Sequence, residues 1–179
     1  MQIRKYIVLS LLLFLGLGAS AQKFAYVDTE YILKHMPEYT SSLAQIDGLS
    51  EQFQKQVETS FAEVDRLYKS YQADQVLLTD DMRKRRENEI IEKEKQAKEL
   101  QRSKFGPEGE LFQTRARLLK PIQEKIASVV AETAKSKFID FVFDKSSEST
   151  MMIYASSNYD ISNDVIIRLG YKPGTLTQQ

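Results

Sequence analysis

The chain has 179 residues, 28% charged, 42% hydrophobic and 10% aromatic, with 25 basic and 25 acidic residues, one His and no Cys or Trp. Without Cys it holds no disulfide, thiolate metal site or cysteine nucleophile, and His35 alone cannot build a multi-histidine metal cage. The balanced charge excludes a whole-protein electrostatic footprint for nucleic acid, so charge-driven binding can only be local.

Arg4 and Lys5, the apolar run Ile7 to Leu15 broken only by Ser10, and the small-residue site Ala19-Ser20-Ala21 predict a secretory signal peptide over 1–21. The run is shorter than the roughly 20 residues of a membrane span. No Cys follows it for lipid attachment, so a soluble exported chain starting at Gln22 is expected. Losing Arg4 and Lys5 leaves 23 basic residues against 25 acidic ones, a formal charge of −2.

The segment 22–36 carries a first strand, Phe24 to Asp28, rich in aromatic and β-branched residues. A long helical pattern opens near Pro37, whose missing N–H suits a first turn. Ile46, Leu49, Phe53, Val57, Phe61, Val64, Tyr68 and Tyr71 recur at a mean spacing of about 3.6, close to the coiled-coil value. Thr79-Asp80-Asp81 reads as the tip of a helical hairpin, with a hydroxyl and two carboxylates to cap a new helix.

Arg83 to Lys95 then places ten charges in thirteen positions, which suits a solvated helix with ion pairs such as Arg85–Glu89 and Glu89–Lys93. Gly106-Pro107-Glu108-Gly109 should kink or break the returning helix, as a hinge or as a fixed kink. The helix resumes at Glu110 and continues to about Phe138 with a fuller apolar face, Leu118, Leu119, Ile122, Ile126, Val129 and Val130 among it.

Over 139–172 the pattern predicts a β-hairpin, Ile139 to Phe143 with Thr150 to Ala155, and a short helix from about Asn163 to Leu169 with Ser162 as N-cap and Gly170 as stop. Residues 173–179 read as a loose tail. The fold class is α+β: a helical hairpin over 37–138 on a β-body too small to bury its own apolar faces. Phe24, Tyr26, Val27, Phe141, Phe143 and Ile153 are the body residues that oligomerisation would cover.

No catalytic residue, metal ligand or cofactor site is expected. Asp80 and Asp81 adjoin, but a tip lacks the enclosed pocket that acid–base chemistry needs. Gly106, Pro107 and Gly109 are the hinge candidates. Arg83, Lys84, Arg85 and Arg86 are candidates for contact with a client or a membrane surface, the duller reading being solvation near a tip.

In the order of these pieces the chain resembles the Skp/OmpH-like periplasmic chaperones. The resemblance rests on Ala25-Tyr26-Val27-Asp28, the charged helical hairpin, Pro121-Ile122-Gln123, Phe141-Val142-Phe143-Asp144 and Asp160-Ile161-Ser162, and covers essentially the whole mature chain. It implies a jellyfish-shaped homotrimer whose helical arms surround a cavity. It also implies a periplasmic holdase that keeps unfolded outer-membrane β-barrel proteins from aggregating without ATP. Members of that family are often strongly basic; the mature charge of −2 weighs against wholesale electrostatic capture and against contact with anionic lipid or lipopolysaccharide. The alternative function is a coiled-coil spacer or adaptor that links envelope proteins.

Overall fold

The computed structural model describes residues 22–147 and 152–174. The expected leader, Thr150 and Met151 of the expected second body strand, and the end of the tail lie outside them. In chain order the elements are β1 (Phe24–Val27), α1 (Thr29–Lys34), α2 (Pro37–Asp74), a 3₁₀ turn (Gln75–Leu77), α3 (Asp80–Phe105), α4 (Glu110–Lys137), β2 (Phe141–Asp144), a second 3₁₀ turn (Ser157–Tyr159) and α5 (Ser162–Arg168). The chain is thus mostly helical, with one small sheet. It divides into two compact units, Leu33–Ala127 and the flanking segments up to Ile32 and from Ser128.

The flanking unit is organised by a parallel strand pair. Phe24 stands opposite Phe141 and Val27 opposite Asp144. Among the described residues no strand pairs with β2 from its C-terminal side: β2 pairs with β1, and Met152–Ala155 adopt no strand. A physical reason lies in the side chains, because the parallel register stacks Phe24 on Phe141 at 5.5 Å and near Phe143 at 6.3 Å between ring centres. On its other edge β1 meets Asp160 through Tyr26, whose carbonyl accepts the Ile161 N–H at 3.0 Å. Ala25, Tyr26, Val27, Ile32, Ile161, Val165 and Ile166 form the buried interior.

The pairing also delivers Asp144 to the start of α1, a helix that the strand reading of 22–36 passed over. A helix leaves its first N–H groups without intrahelical partners. Here the N–H of Thr29 donates to Asp144 Oδ1 (3.2 Å), that of Glu30 to Ser146 Oγ (3.2 Å) and that of Tyr31 to Asp28 Oδ1 (2.9 Å). Thr29 Oγ1 adds a bond to Asp144 Oδ2 at 2.7 Å. Burial pushes the Asp144 carboxyl up, but hydrogen bonds from Thr29 and Ser146 outweigh it and hold the group below its ordinary value.

The short last helix differs from expectation at its first residue. Ser162 is not the N-cap but the first residue of α5, and Ile161 precedes it without a side-chain cap. The buried Ser162 hydroxyl donates to Asp160 Oδ1 at 2.6 Å and accepts the Asp28 N–H at 2.8 Å, so it ties the helix to the end of β1. At the far end Gly170 (φ 92°) closes α5 with bonds from its own N–H to Ile167 and from the Tyr171 N–H to Ile166.

Because the folded pKa of Asp144 lies below the ordinary carboxylate value of 3.8, its contribution to stability is present above that pH and is lost as pH falls through the folded value. Asp144→Ala should destabilise the flanking unit by about 1–3 kcal/mol at neutral pH. Asp144→Asn should remove this part of the acid sensitivity. Chemical denaturation between pH 7 and pH 2 checks both; unchanged stability at pH 7 in the Ala variant would show that the cap is dispensable.

Candidate functional site

The 38-residue α2 turns back at Gln75–Leu77 and packs along α3. Thr79 accepts the Met82 N–H at 3.4 Å as N-cap of α3. Apart from Ser42, the buried positions of α2 repeat by sevens, Ile46, Phe53 and Leu67 in one row and Val57 and Tyr71 in the other, with Ser60 and Val64 half-buried in the gaps. This is the 3.5-residue period of a two-helix seam. Leu67, absent from the expected stripe, is buried, whereas Tyr68 is 48% exposed. The mean spacing of about 3.6 hid the difference, since a slip of one residue in the register moves a side chain by about 100° around the helix.

The partner row on α3 is Arg83, Ile90, Ala97 and Lys104, of which only Ala97 is fully buried. Apolar groups of α2 therefore meet polar ones. The Tyr71 hydroxyl donates to Glu87 Oε1, which pushes the phenol pKa up. Lys104 Nζ sits 4.4 Å over the Phe53 ring, and Phe105 meets the same ring edge-on at 6.2 Å. Glu89, expected to pair with Arg85 and Lys93, pairs instead with Arg86 at 3.4 Å.

A seam this polar leaves apolar side chains elsewhere on the unit. Val76 and Leu77 at the turn are 88% and 81% exposed, and Met82, Ile91 and Phe112 are also exposed. Sequence reasoning passed over Val76 and Leu77, although two aliphatic residues just before the expected tip were a legible signal. The four basic residues after the turn do not form one patch, because four successive helical positions spread over most of a turn. Arg83 is half-buried, with Nε donating to the Leu78 carbonyl at 3.3 Å and Nη1 3.7 Å from Asp80. Arg86 is paired, and Lys84 and Arg85 face solvent.

The hinge candidates lie between α3 and α4. The Gly106 N–H donates to Arg102 and the Gly109 N–H to the Gly106 carbonyl, each at 2.8 Å. A Cβ on Gly106 would stand 2.4 Å from the Arg102 carbonyl oxygen, and one on Gly109 would stand 2.8 Å from the Gly106 nitrogen. Glycine is thus needed for close backbone approach rather than for an unusual φ. Lys104 pairs with Glu110 across the break.

In the flanking unit, Phe24, Phe141 and Phe143 are 45–51% exposed and Ile153 is 93% exposed, whereas Tyr26 and Val27 serve the unit's own interior. A mostly apolar cavity of about 730 Å³ opens beside β1, with Phe24, Tyr26, Phe143, Tyr154, Tyr159 and Ile139 in its wall. Among the described residues no cluster of three or more His, Asp or Glu could hold a metal ion, and no helix is long and apolar enough to cross a membrane.

The family model of the outer membrane protein (OmpH-like) group matches residues 23–169. A crystal structure from Caulobacter crescentus CB15, described as that of a candidate outer membrane chaperone (OmpH-like), superposes with a TM-score of 0.65 at 13% identity, covering 90% of this chain and 96% of the other. At that identity the likeness is one of fold. No curated protein matches in sequence.

Two variants probe the helical unit. Gly106→Ala, Pro107→Ala and Gly109→Ala together clash with the bent backbone but not with a continuous helix, where Pro107 would withhold a donor, so they should straighten the segment. Small-angle scattering should then show a larger maximum dimension; an unchanged profile would mean the break tolerates a Cβ. Phe53→Ala should cost about 3 kcal/mol in thermal or denaturant unfolding of this unit, the usual loss for a fully buried aromatic.

Proposed function

Because the chain belongs to the OmpH-like family, we propose that it is an ATP-independent holdase of the periplasm that binds unfolded outer-membrane β-barrel proteins and prevents their aggregation. The observation that carries this reading is the helical unit's surface, where isolated apolar side chains, Tyr68, Val76, Leu77, Met82, Ile91 and Phe112, stand exposed among dense charges. A spacer has no use for such groups, since each exposed aliphatic side chain invites unwanted association. A holdase does, because an unfolded client presents scattered apolar residues and needs no fixed geometry from its binder.

In this proposal three copies join through the flanking unit, and their helical hairpins enclose the client. Each contact is weak, but several hairpins around one chain raise the effective concentration, so release is slow although every single contact exchanges quickly. The exposed rings of Phe24, Phe141 and Phe143 support self-association, because a monomer would leave that sheet face in water. The break at Gly106–Gly109 supports arms of defined bend; in this reading it shapes the enclosure. No step requires a nucleotide, a metal or a covalent intermediate.

Diluting an unfolded outer-membrane barrel protein from urea into buffer with excess mature protein and no nucleotide should suppress light scattering. Val76→Ser with Leu77→Ser should leave the helical signal unchanged and raise the concentration needed for half-suppression several-fold. Full aggregation in the presence of the wild-type chain, together with stable capture of a folded envelope protein, would favour the adaptor reading instead.

A further inference from the structure

Phe138 stands where a glycine is the ordinary choice. The end of α4 is closed by two bonds, from the Ile139 N–H to the Ala134 carbonyl at 2.9 Å and from the Phe138 N–H to the Lys135 carbonyl at 3.3 Å. That pair of bonds requires a left-handed residue just after the helix. Phe138 supplies it with φ 55° and is the one residue other than glycine with positive φ among the described residues. The same closure at the end of α5 uses Gly170. A bulky L-residue in this region is an outlier with a conformational cost. Nor does the ring recover that cost by burial, being 81% exposed. A helix stop alone would be better served by Gly or Asn.

A complementary feature lies on the same unit. The aromatic cavity beside β1 has Lys137 and Ile139 in its wall, the two neighbours of Phe138, while Phe138 itself is not part of that wall. Phe24, Phe143, Tyr154 and Tyr159 line the cavity yet remain 45–86% exposed. We propose that the Phe138 ring of one copy seats in this cavity of a neighbouring copy. Aromatic side chains bury about 150–250 Å² each. Covering the exposed parts of Phe138 and these four rings would remove roughly 600 Å² from water over both partners, more than a third of the roughly 1,600 Å² that a standard interface buries in total.

The inference rests on the trimeric reading above and names the contact that makes it. Ring and cavity are different surfaces, so the contact is heterologous: each copy donates a ring to one neighbour and receives one from the other. Such a contact closes as a ring of copies when its rotation divides the circle. The strained backbone then has a purpose, since the left-handed turn holds the ring out of its own unit and ready for insertion without further ordering.

The test uses the mature chain. Phe138→Gly keeps the helix stop and relieves the backbone, so the circular dichroism should be unchanged while the assembly dissociates at least tenfold more readily in sedimentation velocity. Tyr159→Ser, in the cavity wall, should weaken assembly in the same direction. Replacing Phe138 with the photoreactive benzoylphenylalanine keeps an aromatic ring there; illumination should give a covalent dimer whose linked peptide lies within Met152–Arg168 of the other copy. A wild-type chain that is monomeric at micromolar concentration would overturn both this contact and the trimeric reading. A wild-type oligomer left intact by Phe138→Gly, or photolinks only outside the cavity wall, would overturn this contact alone.

Discussion

The parallel pairing of β1 with β2 is the constraint on which the flanking unit depends. Its register joins residues more than a hundred positions apart: the Lys23 N–H reaches the Asp140 carboxylate, and Thr29 reaches Asp144. Bringing such distant segments together costs loop-closure entropy, and four residue pairs of ladder are a small return for it. The capping contacts make up the difference. Asp28, Asp144 and Ser146 satisfy the start of α1, and Ser162 links α5 to the same corner, so strand pairing and helix initiation are one cooperative event.

In the helical unit the governing feature is a seam that is only half apolar. Phe53, Val57, Leu67 and Tyr71 are buried on α2 and Ala97 on α3, but Lys104 lies over Phe53 and Glu87 accepts from Tyr71. Such a seam holds two helices together through a mixture of van der Waals contact, one cation–π contact and hydrogen bonds across the pair, without drawing every apolar side chain inward. The groups it leaves outside are Tyr68, Val76, Leu77, Met82 and Ile91. Apolar residues that the seam does not take up thus remain as separated points on a charged surface.

The surfaces of the two units differ in character, and this bears on their roles. The helical unit exposes aliphatic and aromatic residues singly, which suits weak and promiscuous contact. The flanking unit gathers its exposed rings around one cavity and one sheet face, which suits a specific partner with matching shape. The family match spans both units, so the two kinds of surface belong to one molecular plan.

Periodicity and breaker residues made the long helices, the turn after α2 and the irregularity at Gly106–Gly109 legible in the sequence, because each is dictated by local chemistry: 3.6-residue spacing, a capping Thr79, a Gly-Pro pair. The first strand, the long helices, the strand at Phe141 and the short last helix were legible for the same reason, whereas α1 was passed over and a second strand at 150–155 was expected. What the sequence left undecided is whatever depends on residues far apart meeting. Strand propensity marks Phe141 to Phe143 but does not say which neighbour they choose, so the parallel partner came only with the fold. Ser162 looks like an N-cap until Asp28 and Asp160 are seen on either side of its hydroxyl. Leu67 and Tyr68 are adjacent and both apolar enough for a seam; only the packing of α3 selects one. Phe138 reads as the last apolar residue of a helix, and its left-handed backbone and exposed ring emerge only when the end of α4 must turn into β2. Local interactions are written residue by residue, whereas register, capping across the chain and exposure are decided by which surfaces the folded chain brings together.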